Sequence, residues 1–217
     1  MRTSTKLPVV ALISGRGSNL QAIIDSAQSG DLPVEIVAVI SNRPDAKGLE
    51  RAQALGITTE VVDHTRFPDR ESYDLELMQA IDRYQPKLVI LAGFMRILGD
   101  TFVDHYAGRM LNIHPSLLPE FRGLHTHERA IAAGHQEHGA TVHFVTSELD
   151  GGPLIIQAKV AVLDQDNADS LASRVLKQEH CIYPEAVRLF ALGEVRMQGN
   201  RVLHNDEPLD GPIIFTD

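Results

Sequence analysis

The first clear pattern in the chain is a continuous apolar run, Val9-Val10-Ala11-Leu12-Ile13, of the length and character of a strand buried on both faces. Ser14-Gly15-Arg16-Gly17-Ser18 interrupts it, after which Leu20, Ile23, Ile24 and Ala27 recur at helical spacing. Ser18 and Gln21 stand in capping-box register, so a helix is expected to begin there with several backbone N–H groups lacking intrahelical acceptors. Residues 35–40 read as a second strand, 49–55 as a helix stopped by Gly56, and 59–62 as a third strand. Tyr73, Leu77, Ala80, Ile81 and Tyr84 share one face of a helix that ends before Pro86, and residues 88–92 form another buried strand. The alternation predicts an α/β fold of Rossmann-like type, a mostly parallel sheet with helices on both faces.

Beyond Gly93 the pattern loosens. Residues 110–113, 141–145 and 155–160 have strand character, separated by long polar loops rich in His and Gly, and long loops in a compact domain tend to be functional. Residues 167–192 read as a long helical segment broken or bent near Pro184, followed by a tail with short strand-like pieces. No repeat, low-complexity tract or linker stands out. The expected organisation is a single α/β domain over 8–193, built as two halves with a cleft where they meet, and a C-terminal tail over 194–217.

A chain of 217 residues, 43% hydrophobic, has ample apolar material for a core. Its net charge of -9 and the lack of any run of Lys and Arg argue against a nucleic-acid surface, so an anionic ligand must meet a local site. The single cysteine, Cys181, rules out an internal disulfide and suits a reducing cytoplasm; in a helical stretch it reads as a small packed residue. No apolar signal core or membrane-length span is present, so no membrane partner is expected.

Two segments carry chemistry. Asn112-Ile113-His114-Pro115-Ser116-Leu117-Leu118-Pro119 and Leu149-Asp150-Gly151-Gly152-Pro153 supply an amide, an imidazole and a carboxylate. Asn112 suits a developing oxyanion, His114 a proton transfer, and Asp150 the orientation of that imidazole. Neither a metal nor a covalent nucleophile is needed. Each segment alone also reads as an ordinary turn.

The Gly15-Arg16-Gly17-Ser18-Asn19 loop after the first strand reads either as a tight turn or as a phosphate seat at a helix start. A dinucleotide site is disfavoured, because Leu20 replaces the third glycine of the fingerprint and no acid follows the second strand. Phe94, Met95, Ile97 and Leu98 would serve as core or as the wall of an apolar slot. His125, His127, His135, His138 and His143 invite a metal reading, but no Cys joins them and no H-E-x-x-H is present, so exposed or second-shell histidines and no metal are expected.

The order Asn-Ile-His-Pro-Ser-Leu-Leu-Pro, then Leu-Asp-Gly-Gly-Pro, resembles the folate-dependent formyltransferases, and the resemblance runs over about residues 9–184. It implies the formyltransferase fold, with a phosphate-binding N-terminal half and a catalytic, folate-binding C-terminal half. The implied co-substrate is 10-formyltetrahydrofolate, and the implied acceptor is the amine of glycinamide ribonucleotide, in purine biosynthesis. By the same resemblance Asn112, His114 and Asp150 are catalytic. Gly17, Ser18, Asn19 and Glu179 would hold the ribonucleotide and its phosphate. Arg70, Met95, Arg96, Ile97, Leu98, Asn112, Thr146, Ser147, Glu148, Leu149 and Asp150 would hold the folate. On residue type alone, Arg70 and Glu179 would be solvated surface charges. Glu120 departs from the pattern, an acid where relatives often have a base.

Three other readings compete with this one. A methionyl-tRNA formyltransferase would need an RNA-binding domain, for which there is no room, and a less acidic chain. A formyltetrahydrofolate deformylase would carry a regulatory domain ahead of the first strand, where only eight residues stand. A non-catalytic mononucleotide-binding protein would need the glycine loop but not Asn112, His114 and Asp150. The expected partners are small molecules, with the chain acting as a monomer or homodimer.

Overall fold

The computed structural model describes residues 6–216, which divide into two compact units at the junction of Leu111 and Asn112. In the first unit, strand β1 (Leu7–Ile13) has Val9, Val10, Ala11, Leu12 and Ile13 fully buried, as a two-sided apolar run requires. Helix α1 (Ser18–Ser29) follows, then β2 (Val34–Ser41), α2 (Lys47–Ala54), β3 (Thr59–Val61), α3 (Arg70–Asp82), β4 (Leu88–Leu91) and α4 (Asp100–His105). The strands lie in the order β4-β1-β2-β3, and β1 with β4, β1 with β2, and β2 with β3 all pair parallel. That is the alternation read from the sequence.

The capping box does not form. Gly17, not Ser18, is the N-cap residue of α1, without a side-chain cap, and Gln21 turns forward to donate to Asp25 at 2.7 Å. Gly17 has a reason to be glycine. It sits at φ +72°, and a Cβ there would lie 2.7 Å from the Cα of Gly48, which itself donates its N–H to the Gly15 carbonyl at 3.0 Å.

The chain enters the second unit within β5 (Met110–His114) and continues through α5 (Thr126–Ala132), β6 (Glu137–Phe144), β7 (Leu154–Ala161) and α6 (Ala168–Ala191). Strands β8 (Val195–Gln198), β9 (Arg201–His204), β10 (Glu207–Pro208) and β11 (Ile213–Phe215) complete it. The order within this unit is β11-β7-β6-β5, with β6 and β7 antiparallel and β11 parallel to β7. The stretch expected as a tail thus returns a strand to the sheet, while β8, β9 and β10 form a small antiparallel sheet of their own.

Helix α6 is one 24-residue element, capped by Asn167 and Ser170, and Pro184 does not end it. Pro184 lacks an N–H for the His180 carbonyl, yet the residue is buried within the apolar stripe, and packing keeps the helix going. Cys181, expected to be packed, is exposed; its thiol faces the Lys177 carbonyl at 3.4 Å. No helix of the described residues is long and apolar enough to cross a membrane.

Candidate active site

The catalytic candidates come together in the second unit. Asn112 and His114, two residues apart on β5, project from the same face of the strand, and His114 is buried to 6% exposure. His114 Nδ1 lies 3.4 Å from Asp150 Oδ2, and its Nε2 lies 3.0 Å from the Phe121 carbonyl. A carbonyl only accepts, so Nε2 carries a proton and donates it to Phe121.

Asp150 reaches this position from a tight turn between β6 and β7. Its backbone takes φ +48°, a left-handed conformation that Asp tolerates better than most residues, and the Gly151 N–H donates to Glu148 O at 3.0 Å. Gly152 packs so closely that a Cβ would lie 1.9 Å from the Phe144 carbonyl oxygen, which makes glycine obligatory there. The Gly123 N–H donates to Asp150 Oδ2 at 2.9 Å, and Arg122 pairs with Glu148. The 121–123 segment therefore touches both members of the His114 and Asp150 pair through its backbone.

His143 is a member of the site that sequence reasoning placed only among undifferentiated histidines. It is 2% exposed on β6; its Nδ1 donates to the Phe144 carbonyl at 2.8 Å, which leaves Nε2 as an acceptor for the Asn112 amide at 3.2 Å. Burial lowers its pKa, so the ring is neutral. The 3.8 Å approach of Asp150 Oδ1 to Nε2 is then a contact with a lone pair, not an ion pair. With one N–H on His143, the Asn112 amide nitrogen keeps its second N–H for a ligand.

The Pro-rich stretch after His114 is anchored by residues the sequence reading passed over. Thr141 Oγ1 donates to the Ser116 carbonyl at 2.7 Å and accepts from Leu118 N at 3.1 Å and Gln157 Nε2 at 2.9 Å. Gln157 also donates to the Leu118 carbonyl at 2.8 Å. These buried partners satisfy a loop that has no ladder of its own.

The other histidines sort by environment. His125 is exposed, whereas His138 is 1% exposed and lies 3.2 Å from His127. His125 is exposed as expected and His143 sits behind the Asn112 amide, whereas the burial of His138 against His127 was not expected. Among the described residues no three of His, Cys, Asp and Glu gather in a way that would hold a metal.

The remaining predicted ligands fall as follows. In the first unit, Gly17, Ser18 and Asn19 form the start of α1, with Gly17 and Asn19 buried and Ser18 half-buried. Arg70 is exposed on the first turn of α3. Met95 and Ile97 are 69% and 61% exposed, while Leu98 is buried and Arg96 lies over the Tyr73 ring at 6.0 Å. Exposed Met95 and Ile97 are not core. In the second unit, Thr146 is half-buried, and Ser147, Glu148 and Leu149 are exposed. Glu179, expected as a surface charge on residue type, is buried on the apolar stripe of α6 with Leu171 and Val175. A carboxylate in such a stripe is a signal that spacing alone carries, since 171, 175 and 179 are four apart.

An α/β chain that sets the half-buried Asn112 amide beside the His114 imidazole and the Asp150 carboxylate has the polar groups of an enzyme of group transfer. Residues 7–187 match the model of the formyl transferase family, and the chain belongs to that family. It is 55% identical over 192 residues to the phosphoribosylglycinamide formyltransferase of Escherichia coli (strain K12), covering 88% of this chain and 91% of that protein. To the enzyme of the same name from Haemophilus influenzae it is 45% identical over 196 residues, with 88% and 91% covered. Among solved structures, the phosphoribosylglycinamide formyltransferase of Coxiella burnetii superposes with a TM-score of 0.93 at 53% identity, covering 97% of this chain and all of that one. The α/β formyltransferase fold expected from the sequence is the fold found.

Proposed function

We propose that the protein transfers the formyl group of 10-formyltetrahydrofolate to the amine of glycinamide ribonucleotide, releasing tetrahydrofolate, as a step of purine synthesis in the cytoplasm. The observation that carries this reading is the placement of two N–H donors, Asn112 Nδ2 and His114 Nε2, on one face of β5, with Asp150 behind the imidazole.

The amine attacks the formyl carbon, the new C–N bond forms, and the carbonyl electron pair moves onto oxygen. Asn112 and His114 donate to that oxyanion, which takes the place of the Phe121 carbonyl at Nε2. Asp150 holds the imidazole and orders a water that accepts the proton from the attacking nitrogen. The folate nitrogen leaves with the C–N electron pair and is protonated. Gly17, Ser18 and Asn19 grip the ribonucleotide phosphate with the N–H groups of α1, and Glu179 contacts the amino-ribonucleotide. Arg70 meets the distal carboxylates of folate. Residues 95–98 and 146–150, with Asn112, line its pterin. No metal enters these steps, and residues 8–193 act as the catalytic domain of a monomer or homodimer.

The test is tetrahydrofolate release with 10-formyltetrahydrofolate alone, with glycinamide ribonucleotide added, and with methionyl-tRNA added. Rapid release only with glycinamide ribonucleotide is expected. Comparable release with no amine would instead identify a deformylase, and stimulation by methionyl-tRNA would identify the tRNA-directed relative.

A further inference from the structure

We infer that Ser14 and Asp74 are positioning residues for folate recognition, two buried side chains that fix the backbone of residues 95–98 from its two ends. The inference rests on the reading that this segment meets the folate. It concerns groups that do not themselves reach a ligand.

At one end, Ser14 is 7% exposed at the close of β1. Its backbone N–H donates to the Gly93 carbonyl at 3.1 Å, and its hydroxyl donates to Asn42 Oδ1 at 2.6 Å. The hydroxyl has one proton, so its lone pairs are free to accept the Met95 N–H, which they do at 2.7 Å. Asn42, 2% exposed at the end of β2, thereby sets which way the serine hydroxyl points.

At the other end, Asp74 is 6% exposed on α3, and its Oδ2 accepts the Gly99 N–H at 2.7 Å. Gly99 is the N-cap of α4, and a Cβ there would lie 3.0 Å from that oxygen and 3.9 Å from Arg70 Nε. Asp74 Oδ1 has no hydrogen-bond partner. An acceptor alone would serve as well in neutral form, and burying a carboxylate carries a desolvation cost. Burial raises the pKa of this carboxyl, while the Gly99 N–H and then the Arg70 and Arg96 guanidinium groups, both assigned to the folate side, work against that rise.

Three successive side chains, Met95, Arg96 and Ile97, stand exposed between buried Phe94 and Leu98. Phe94 and Leu98 are 9% exposed, while Met95 and Ile97 stand out at 69% and 61%. An unanchored irregular stretch would fold its apolar side chains back onto the protein. Held at both ends by buried acceptors, it presents them as a preformed platform, which lowers the ordering cost of binding a flat apolar ring.

The experiment compares Ser14→Ala, Asp74→Ala and Asp74→Asn with the unmodified protein. It measures KM for each substrate, kcat, and the Kd of tetrahydrofolate by calorimetry. Expected is a rise of roughly tenfold or more in the folate KM and in the tetrahydrofolate Kd for both alanine variants, with the glycinamide ribonucleotide KM within about twofold. Asp74→Asn, which retains an acceptor, recovers most of the loss. Unchanged tetrahydrofolate affinity in the alanine variants, or an equal loss for both substrates, overturns the assignment. If Asp74→Ala does not fold, Ser14→Ala decides by the same two criteria. An unmodified protein that binds tetrahydrofolate yet transfers nothing to glycinamide ribonucleotide would refute the proposed reaction, while the Kd comparison would still test the positioning role.

Discussion

Asp150 Oδ2 lies 3.4 Å from His114 Nδ1 while accepting the Gly123 N–H at 2.9 Å, so a loop amide holds the carboxylate behind the imidazole. This arrangement gives the carboxylate a role that an amide side chain would fill poorly, because Asn carries no negative charge to set against a proton on the imidazole. We expect Asp150→Asn and His114→Ala each to lower kcat by about 100-fold or more, in the range of a lost general acid or base, with substrate binding less affected. Steady-state kinetics with circular dichroism as a folding control decides this. A near-normal kcat for Asp150→Asn would mean that the two residues do not work as a pair.

The glycine loop calls for an uneven response. A Cβ on Gly15 meets nothing within 4 Å, whereas one on Gly17 collides with the Gly48 backbone at a positive φ. Gly15→Ala is expected to keep its melting temperature, and Gly17→Ala to lose several degrees, with about 1 kcal/mol or more of stability. Because Gly17 is required by the fold, its substitution tests packing as much as phosphate binding. Ser18→Ala is the cleaner probe and should weaken glycinamide ribonucleotide binding while tetrahydrofolate binding persists, as read by calorimetry.

Much of the first unit was legible because its strands are uninterrupted apolar runs and its helices show one covered face. The read boundaries of β1, β2, β3 and β4 fall within two residues of those observed. What escaped were short elements without periodicity, such as α4 and α5, and the strand β11, whose place beside β7 depends on pairing across more than 50 residues of chain. Asn112, His114 and Asp150 were legible as chemistry from their residue types and order. His143 was not, because its relevance lies in a 3.2 Å contact with Asn112 across 31 residues, and nothing in the sequence distinguishes it from four neighbouring histidines. Thr141 and Gln157 escaped for the same reason, since each faces a backbone group that only the fold brings near.

Acid should destabilise the protein through His138. Its burial, and secondarily the charges of His127, His135 and His114, lower its pKa to about 4, while the hydrogen bond that its ring donates to the Pro115 carbonyl works the other way. An unfolded histidine titrates near 6.5, so as the pH falls from about 6.5 to about 4 the unfolded state takes up a proton that the native state refuses. Stability is therefore full above pH ~6.5, declines through that window, and levels off below pH ~4 as far as this group is concerned. After allowance for partial solvent screening the loss is of order 1–2 kcal/mol. Thermal melts at pH values between 4 and 7.5 should show a shallower decline for His138→Gln than for the unmodified protein, and parallel curves would assign the effect to other groups.

The neutral His143 ring makes a narrower claim about catalysis. Its Nδ1–H is committed to the Phe144 carbonyl and its Nε2 lone pair to Asn112, so it aims the amide without donating to a substrate. His143→Phe fills the same space but offers Asn112 no acceptor, which frees the amide to rotate and leaves its inward N–H unpaired. Losing one well-formed buried hydrogen bond is worth about 1–1.5 kcal/mol, or roughly tenfold in rate if the effect falls on the transition state. Asn112→Ala, which removes the donor itself, should cost more, about 100-fold. The combination distinguishes the roles: once Asn112 is alanine, His143→Phe should add little further loss in kcat, because its partner is gone. Fully additive losses in the double variant would show that His143 acts on the reaction by a route that does not pass through Asn112.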